Sequence, residues 1–275
     1  MKNVGIIIPV ANEEKTIEQF ANSLVQECSK LEYNFNIFFI MDDFSVDSTK
    51  DILNDLHYKN ITVLHNKQST GLVSCYIYGY KHCISKEYDY IVEMDSGFSH
   101  RPEHLKSFLE NLDSGYDAVF GSRFLKYSNY ETTFFRRFVS RIGTIVANNW
   151  LGMNYSDSTS GYQAFKIKAI RDFNFDNFIS SGGMFQTEIK YYIYDRRTKT
   201  VEQEINEASY YESKYRNFFS DRFFDRKYCY RYKLKEVPIN FISSETSFRT
   251  VWVLDGIKIL LKLKNNVKRI YDEKG

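Results

Sequence analysis

The chain sets short runs of β-branched and aromatic residues against longer stretches in which apolar positions recur every three or four residues. Val4–Pro9 is such a run. It is followed, from about Lys15 to Lys30, by helical spacing whose start, Ala-Asn-Glu-Glu, places acids where they suit the helix dipole. Asn36–Met41, Ile61–His65, Tyr88–Met94 and Asp117–Gly121 read as further strands. Ser48–Leu56, Leu72–Ile84 and about Pro102–Leu112 read as the helices between them. Alternation at this spacing predicts βαβ units, a parallel sheet and right-handed crossovers. Ligands in such sheets sit beyond the carboxyl ends of the strands. Those ends carry Pro9-Val-Ala-Asn-Glu13, Asp42-Asp43, Asn66 and Asp95, so carboxylates gather on one edge.

The second half is less regular. Phe134-Phe-Arg-Arg-Phe138 leads into a predicted helix through about Trp150, and a turn-rich loop, Asn154–Gly161, follows. Phe185–Tyr194 reads as a helix and Lys235–Phe241 as a strand. Between them, about 196–232 is charged and aromatic with no clean period. The chain closes on an amphipathic basic helix, about Val251–Tyr271, with Val253, Ile257, Leu260, Leu261, Leu263 and Val267 near one side. No internal repeat or low-complexity linker is visible.

Composition narrows the function classes. A hydrophobic share of 43% over 275 residues supports one large core. A net charge of +2 argues against nucleic acid as a main partner, since acids offset the basic residues almost everywhere. The 22 Tyr and 23 Phe are an excess that base composition of the gene could produce alone. The 4 cysteines have no C-x-x-C spacing and read as reduced thiols of a cytosolic protein. The first apolar run is stopped by Pro9 too early for a signal peptide, and no stretch approaches the roughly 18 apolar residues of a membrane span.

The candidate chemistry centres on Tyr90-Ile-Val-Glu-Met-Asp-Ser-Gly-Phe-Ser-His-Arg-Pro102, a strand that delivers Asp95 to the sheet edge. A carboxylate there suits a metal and a nucleoside diphosphate. The position two residues on, where a second acid would complete an Asp-x-Asp clamp, is Gly97. Around it, in order, stand Ile-Ile-Ile-Pro-Val-Ala-Asn-Glu13, Met41-Asp-Asp-Phe-Ser-Val-Asp-Ser-Thr49, Gly71-Leu-x6-Gly79, Gly121-Ser-Arg123, Arg136-Arg137, Asp157-Ser-Thr-Ser-Gly-Tyr162, Phe185-Gln-Thr-Glu188 and Glu236-Val-Pro-Ile239. Each motif is weak alone. In this order they resemble a GT-A-fold family 2 glycosyltransferase, nearest the dolichol-phosphate mannose synthase and polyprenyl-phosphate glycosyltransferase branch.

That resemblance implies an α/β fold: a Rossmann-like, mostly parallel central sheet flanked by helices, with a helical or aromatic insertion and a C-terminal amphipathic helix. One domain would span 1–275, with a nucleotide-sugar half (1–122) and an acceptor half (123–275) carrying the insertion at about 196–232. Pro9, Ala11, Asn12, Glu13, Asp42, Asp43, Gly71, Asp95 and Ser96 would line the nucleotide site. Asp43 is the better acceptor for a base N–H, although Asp42-Asp43 taken alone reads equally as a turn cluster. Asp95 would ligate Mg²⁺ or Mn²⁺, and Ser96, Ser99 and His100 are neighbouring donors. Mg²⁺ commonly uses one or two carboxylates plus phosphates and waters, so Gly97 weakens the site without abolishing it.

Asp157 would be the catalytic base or acceptor aligner, its bland alternative being an Asx-turn. A hydroxyl acceptor needs such a base. A polyprenyl phosphate, with a second pKa of about 6, needs positive charge and orientation instead. The resemblance places Arg123, Arg136 and Ser140 at an acceptor phosphate, with Gln186 and Glu188 as further pocket residues; Arg136-Arg137 alone would read as a solvated basic face. The chain departs from the family at Ala11 (usually Tyr), Phe44 (usually Gly) and Gln163 (usually Arg). These changes bear on sugar and acceptor more than on fold.

The implied activity is inverting transfer of a sugar from a nucleotide-diphosphate sugar to a polyprenyl phosphate. The alternatives are transfer to a hydroxyl of a cell-surface glycan, or a catalytically weak sugar-nucleotide-binding subunit. The expected location is cytoplasmic, peripheral at a membrane face. The Tyr210–Tyr232 aromatics with their interleaved cations, and the terminal helix, suit a membrane or protein interface as readily as they suit covering the core. A homo-oligomer is a further candidate assembly.

Overall fold

A computed structural model of the chain describes residues 1–67, 71–180, 182–195, 197–199, 228–230, 232–242, 256–263 and 266. The first half follows the predicted alternation: β1 (Asn3–Val10), α1 (Ile17–Ser29), β2 (Asn34–Asp42), α2 (Thr49–Asp55), β3 (Ile61–Asn66), α3 (Leu72–Ser85), β4 (Tyr90–Glu93), α4 (Leu105–Asp113) and β5 (Ala118–Ser122). A 3-10 turn, Pro102–His104, opens the stretch predicted as one helix. There follow β6 (Asn129–Glu131), α5 (Phe134–Leu151), β7 (Gln163–Lys166), α6 (Ile167–Ile170) and α7 (Phe185–Asp195). β8 (Arg197–Lys199) pairs antiparallel with β9 (Tyr228–Tyr230), and β10 (Leu234–Pro238) and β11 (Asn240–Ile242) complete the strands. Most of the predicted 196–232 segment, and both ends of the predicted Val251–Tyr271 helix, lie outside the described residues; 256–263 are helical.

The main sheet has seven strands in the order β10-β5-β7-β4-β1-β2-β3. All its pairings are parallel except those of β7, which lies antiparallel between β4 and β5. β1 is buried from Val4 to Val10, as expected of a central strand covered on both faces. Its alternate side chains enter different layers. Ile6 and Ile8 pack with Phe20, Leu24, Phe108 and Leu112 of α1 and α4, whereas Ile7 packs with Tyr76 and Tyr80 of α3 on the other face. α3 comes so close at Gly79 that a Cβ there would lie 2.4 Å from the Ile7 side chain, which accounts for the second glycine of Gly71-Leu-x6-Gly79.

Two predictions are corrected. Lys235–Phe241 is not one strand. β10 pairs with β5 as far as Pro238, and the chain then leaves the main sheet so that β11 pairs with β6. At the break, the Ile239 N–H still donates to the Ser122 carbonyl (3.0 Å), while the Ile239 carbonyl accepts from Asn129 N–H (3.3 Å). β7 was absent from the expected strands because Gln-Ala-Phe-Lys is too short to show a period. Its reversed direction puts its first residue, and the Asp157–Gly161 loop before it, at the same edge as the carboxyl ends of β1, β2, β4 and β5.

Candidate active site

On the β1–β2 side of that edge stands a pair of interlaced loops. Beyond Pro9, the chain turns at Asn12 in a left-handed conformation (φ 56°). The Asn12 N–H donates to Ser45 Oγ (3.1 Å), the Glu13 N–H to Thr49 Oγ1 (2.7 Å) and the Glu14 N–H to Asp47 Oδ2 (3.0 Å), while Asn12 Oδ1 accepts from Val46 N–H (3.0 Å). The sequence pattern Asn-Glu-Glu with Ser-Val-Asp-Ser-Thr is therefore a clasp between the ends of β1 and β2. Ala11 lies partly exposed beside it.

Asp42 and Asp43 have different fates. Asp42 is buried, with Oδ2 accepting from the Gly71 N–H (2.9 Å) at the start of α3 and Oδ1 accepting from the Phe44 N–H (3.2 Å). Asp43 is exposed. Both border an open depression of about 260 Å³ lined also by Met41, Ser45, Lys50 and His65.

Asp95 stands just beyond β4. Its Oδ1 accepts from the buried Tyr76 hydroxyl (2.6 Å), and its backbone N–H donates to His100 Nδ1 (2.8 Å). A ring nitrogen that accepts carries no proton, so His100 is neutral with its proton on Nε2. Burial pushes its pKa down further, against the opposing pull of Asp95. The 3.7 Å approach of Nδ1 to Asp95 Oδ2 is thus not an ion pair. His100 is structural, stacked on Tyr162 with centroids 5.0 Å apart.

Gly97 adopts a left-handed φ of 70°, and a Cβ built there would meet Glu13 Oε2 at 3.0 Å. The same oxygen accepts from Thr16 Oγ1 (3.0 Å). Burial raises the Glu13 carboxyl, Asp95 and Asp47 add to this, and the Thr16 and Ser96 hydroxyls oppose it. Ser96 and Ser99 are largely buried beside it.

Beneath Asp95 lies an acid to which the sequence assigned no role. Glu93 is fully buried, accepting from the Tyr80 hydroxyl, Gln163 Nε2 (3.0 Å) and Gln186 Nε2 (3.3 Å). Burial drives its pKa up to about 8, partly opposed by those donors. Gln186 is spent on this contact, and Gln163 Oε1 is left without a partner.

On the β5–β7 side of the edge, Asp157 is 0% exposed. Arg123 closes on it: Nε to Oδ2 at 2.7 Å, Nη2 to Oδ1 at 2.8 Å, and backbone N to Oδ2 at 3.0 Å. Thr159 donates to Oδ1 through its N–H (3.2 Å) and hydroxyl (3.1 Å). Burial alone would raise this carboxyl, but the Arg123 charge and hydrogen bonds outweigh it and hold the pKa down to about 2. Held this way, Asp157 is a poor proton acceptor near neutral pH.

The loop around Asp157 is fixed on every side. Glu236 accepts from the Ser156 N–H (2.8 Å) and Asp157 N–H (3.0 Å), and Thr144 Oγ1 accepts from the Ser158 N–H (3.2 Å). The buried Lys190 ammonium donates to the carbonyls of Asp157 (2.8 Å) and Ser160 (2.9 Å). Burial lowers Lys190 to about 8, with Asp157 and Glu236 opposing. Glu188 is buried, and its carboxylate straps the Ile179 (2.9 Å) and Ser180 (2.8 Å) N–H groups.

Arg123, Arg136 and Ser140 do come together, around Tyr130. Arg123 Nη1 donates to the Tyr130 hydroxyl (3.3 Å), which lies 3.4 Å from Ser140 Oγ, and Arg136 hydrogen-bonds the same side chain. Arg136 is half-buried and Ser140 partly exposed. Both stand on α5, whose outward stripe is apolar: Phe134 (84% exposed), Phe138 (54%), Ile142 (42%) and Ile145 (49%), with Arg137 and Arg141 alongside. Tyr130, Lys190 and Glu93 were not singled out from the sequence. Nothing in their local pattern distinguishes them, since each acts on a partner remote in the chain; Glu236 was visible as part of Glu-Val-Pro-Ile but carried no role.

Comparisons with known proteins bear on this geometry. Residues 5–173 match the profile of "Glycosyl transferase family 2". An undecaprenyl-phosphate mannosyltransferase of Micrococcus luteus is 33% identical over 157 residues, 55% of this chain and 63% of the relative, so the match spans less than two thirds of that protein. A polyprenol monophosphomannose synthase of Mycolicibacterium smegmatis is 26% identical over 73% of this chain and 75% of its own. In fold, the chain is similar to glucosyl-3-phosphoglycerate synthase from Mycobacterium tuberculosis, crystallised with Mn²⁺, UDP and glucosyl-3-phosphoglycerate, with a TM-score of 0.57 at 12% identity over 98% of this chain and 80% of that one. The mostly parallel sheet with flanking helices is thus a GT-A-like fold.

Proposed function

This chain belongs to glycosyl transferase family 2, and from that premise we propose that it transfers a sugar from a nucleoside-diphosphate sugar to the phosphate of a polyprenyl lipid. The observation that carries the choice of acceptor is the closed Arg123–Asp157 pair. A hydroxyl acceptor must lose a proton to a base, and Asp157 is saturated and held at a pKa of about 2. A phosphate oxygen is already a nucleophile near pH 7. The names of the Micrococcus and Mycolicibacterium relatives support the same acceptor class.

In the proposed reaction, the acceptor phosphate oxygen attacks the anomeric carbon as the bond from that carbon to the donor diphosphate breaks. The nucleoside diphosphate leaves with the electron pair, and one displacement inverts the anomeric centre. Arg136 and Ser140 would hold the acceptor phosphate; Arg123 contributes charge while remaining tied to Asp157. The Asn12–Glu14 and Ser45–Thr49 clasp would seat the nucleoside, with exposed Asp43 as acceptor for a base N–H.

The residues beyond β4 fit a divalent cation: Asp95 presents a carboxylate 38% exposed, oriented by Tyr76 and the His100 contact, with no Lys or Arg bonded to it among the described residues. Bound there, Mg²⁺ or Mn²⁺ would neutralise charge on the leaving diphosphate. Tyr76 would keep the Asp95 carboxylate turned toward it.

Among the described residues no helix is long and apolar enough to cross a membrane. The exposed apolar stripe of α5, flanked by Arg137 and Arg141, supports a peripheral position on an anionic membrane surface at the cytoplasmic face, where a lipid phosphate would meet Arg136 and Ser140.

The test is turnover. Purified protein with Mg²⁺ or Mn²⁺, a panel of UDP- and GDP-sugars, and either polyprenyl phosphate or a glycan acceptor should release nucleoside diphosphate and form a lipid-linked sugar only with the phosphate. Donor binding without nucleoside diphosphate release from any donor would refute the enzymatic reading. Product on the glycan alone would refute the lipid acceptor.

A further inference from the structure

The family pattern places a second acid two residues after Asp95, and this chain has Gly97 there. The space such a side chain would enter is already taken. A Cβ on Gly97 would lie 3.0 Å from Glu13 Oε2 and 3.6 Å from both its carboxyl carbon and Oε1. The carboxylate that fills it arrives from the loop after the neighbouring strand, β1.

Glu13 is held in that position from several directions. Its N–H is bonded to Thr49 Oγ1 at 2.7 Å, the chain before it turns at Asn12 with φ 56°, and Thr16 Oγ1 donates to Oε2 at 3.0 Å. Gly97 in turn has φ 70°, a conformation that glycine adopts freely and that lets the backbone pass beneath the carboxylate without a side chain. Among the described residues, neither Glu13 nor Asp95 forms an ion pair with Lys or Arg. Asp95 feels the charges of Arg123 and Arg136 without being bonded to either in an ion pair, and Arg123 is tied to Asp157. Carboxylates brought to one place without a bonded countercharge favour a cation, and a hard divalent ion takes one or two carboxylates together with phosphate oxygens.

We propose that Glu13 supplies the second carboxylate of the divalent-cation site, reaching across Gly97 to stand where the family's usual acid would be. The proposal rests on reading this edge as a nucleotide-sugar site. It moves Glu13 from a nucleoside contact to a metal contact and makes Gly97 the condition for that reach.

The test is Mn²⁺ binding to the full chain, followed by the electron paramagnetic resonance signal of free Mn²⁺, with UDP and with GDP present. Wild type should bind Mn²⁺ with one of them. Glu13→Gln should weaken Mn²⁺ binding tenfold or more, as should Asp95→Asn, while Glu13→Asp retains more affinity than Glu13→Gln. In EDTA, binding of the same nucleotide should change less than threefold in Glu13→Gln. Unchanged circular dichroism and Tm identify folded variants, and Glu13→Asp, which keeps the carboxylate, provides the second reading.

Wild-type Mn²⁺ affinity in Glu13→Gln with loss in Asp95→Asn would overturn the proposal, as would equal weakening of nucleotide binding in EDTA. Absence of Mn²⁺ binding in wild type would overturn it too. The transfer reading fails separately: Mn²⁺ binding that depends on Glu13, without turnover of any donor, leaves this site standing and removes the enzymatic function.

Discussion

Arg123 and Asp157 close on each other through two parallel contacts, 2.7 Å and 2.8 Å, with the arginine side chain 6% and the aspartate 0% exposed. One residue lies at the end of β5 and the other in the loop that leads into β7. The pair therefore ties the end of β5 to that loop, beside the cluster around Tyr130.

Breaking this pair from one side strands a buried charge. Asp157→Asn or Arg123→Met should each cost about 3–5 kcal/mol, and the double variant should cost less than their sum. Urea denaturation of the four proteins measures the coupling. Additive losses would mean that the two side chains do not act as a pair.

Two buried acids give opposite pH signatures. Asp157 has a folded pKa below its ordinary 3.8, so its contribution is present above that value and is lost as pH falls toward about 2. Glu93 is raised from 4.5 to about 8, so the folded protein retains a proton that the unfolded chain releases, and stability falls as pH rises through that window. Glu93→Gln should match wild type near pH 4 and exceed it in Tm by several degrees at pH 8.5. Thermal melts across this range decide it: a difference independent of pH would place the effect in packing.

Lys190→Met should leave the carbonyls of Asp157 and Ser160 without their donor. The expected cost is about 1–3 kcal/mol for each carbonyl left unpaired. Because those carbonyls belong to the acceptor loop, acceptor KM should rise tenfold or more while donor KM changes little. Equal effects on both substrates would indicate a general loss of folding.

Phe138→Ser combined with Ile142→Ser should reduce co-sedimentation with vesicles containing anionic lipid at least tenfold. Transfer to a short, detergent-dispersed polyprenyl phosphate should stay near the wild-type rate, since neither side chain faces the sheet edge. Unaltered vesicle binding would assign the membrane contact to another surface.

The first half of the fold was legible because each strand is a continuous apolar run and each helix has one apolar face. Legibility fails where an element is short or owes its state to a neighbour. Gln163–Lys166 is a strand only because β4 and β5 leave a place for it, and Lys235–Phe241 divides because Ile239 bonds to Ser122 and Asn129 at once. At the site, Asp95 and the placement of Asp157 could be read from local motifs. The pairing of Asp157 with Arg123, the lysine beneath its loop and the three donors around buried Glu93 could not, since a charged residue in a sequence carries no mark of what buries it. Glu13 was visible as part of Asn-Glu-Glu, but its approach to Gly97 joins the loops beyond two separate strands, β1 and β4.

The reversed strand β7 has a consequence for biosynthesis. β4 and β5 never touch; each is bonded to β7 along one edge. A nascent chain ending before Gln163 would thus present β1–β4 and β5 as pieces with raw edges. The strand that joins them emerges directly after the Asp157 loop. The sheet can consequently close between β4 and β5 only after Lys166 has been made, and β10 is added to the far edge of β5 later still.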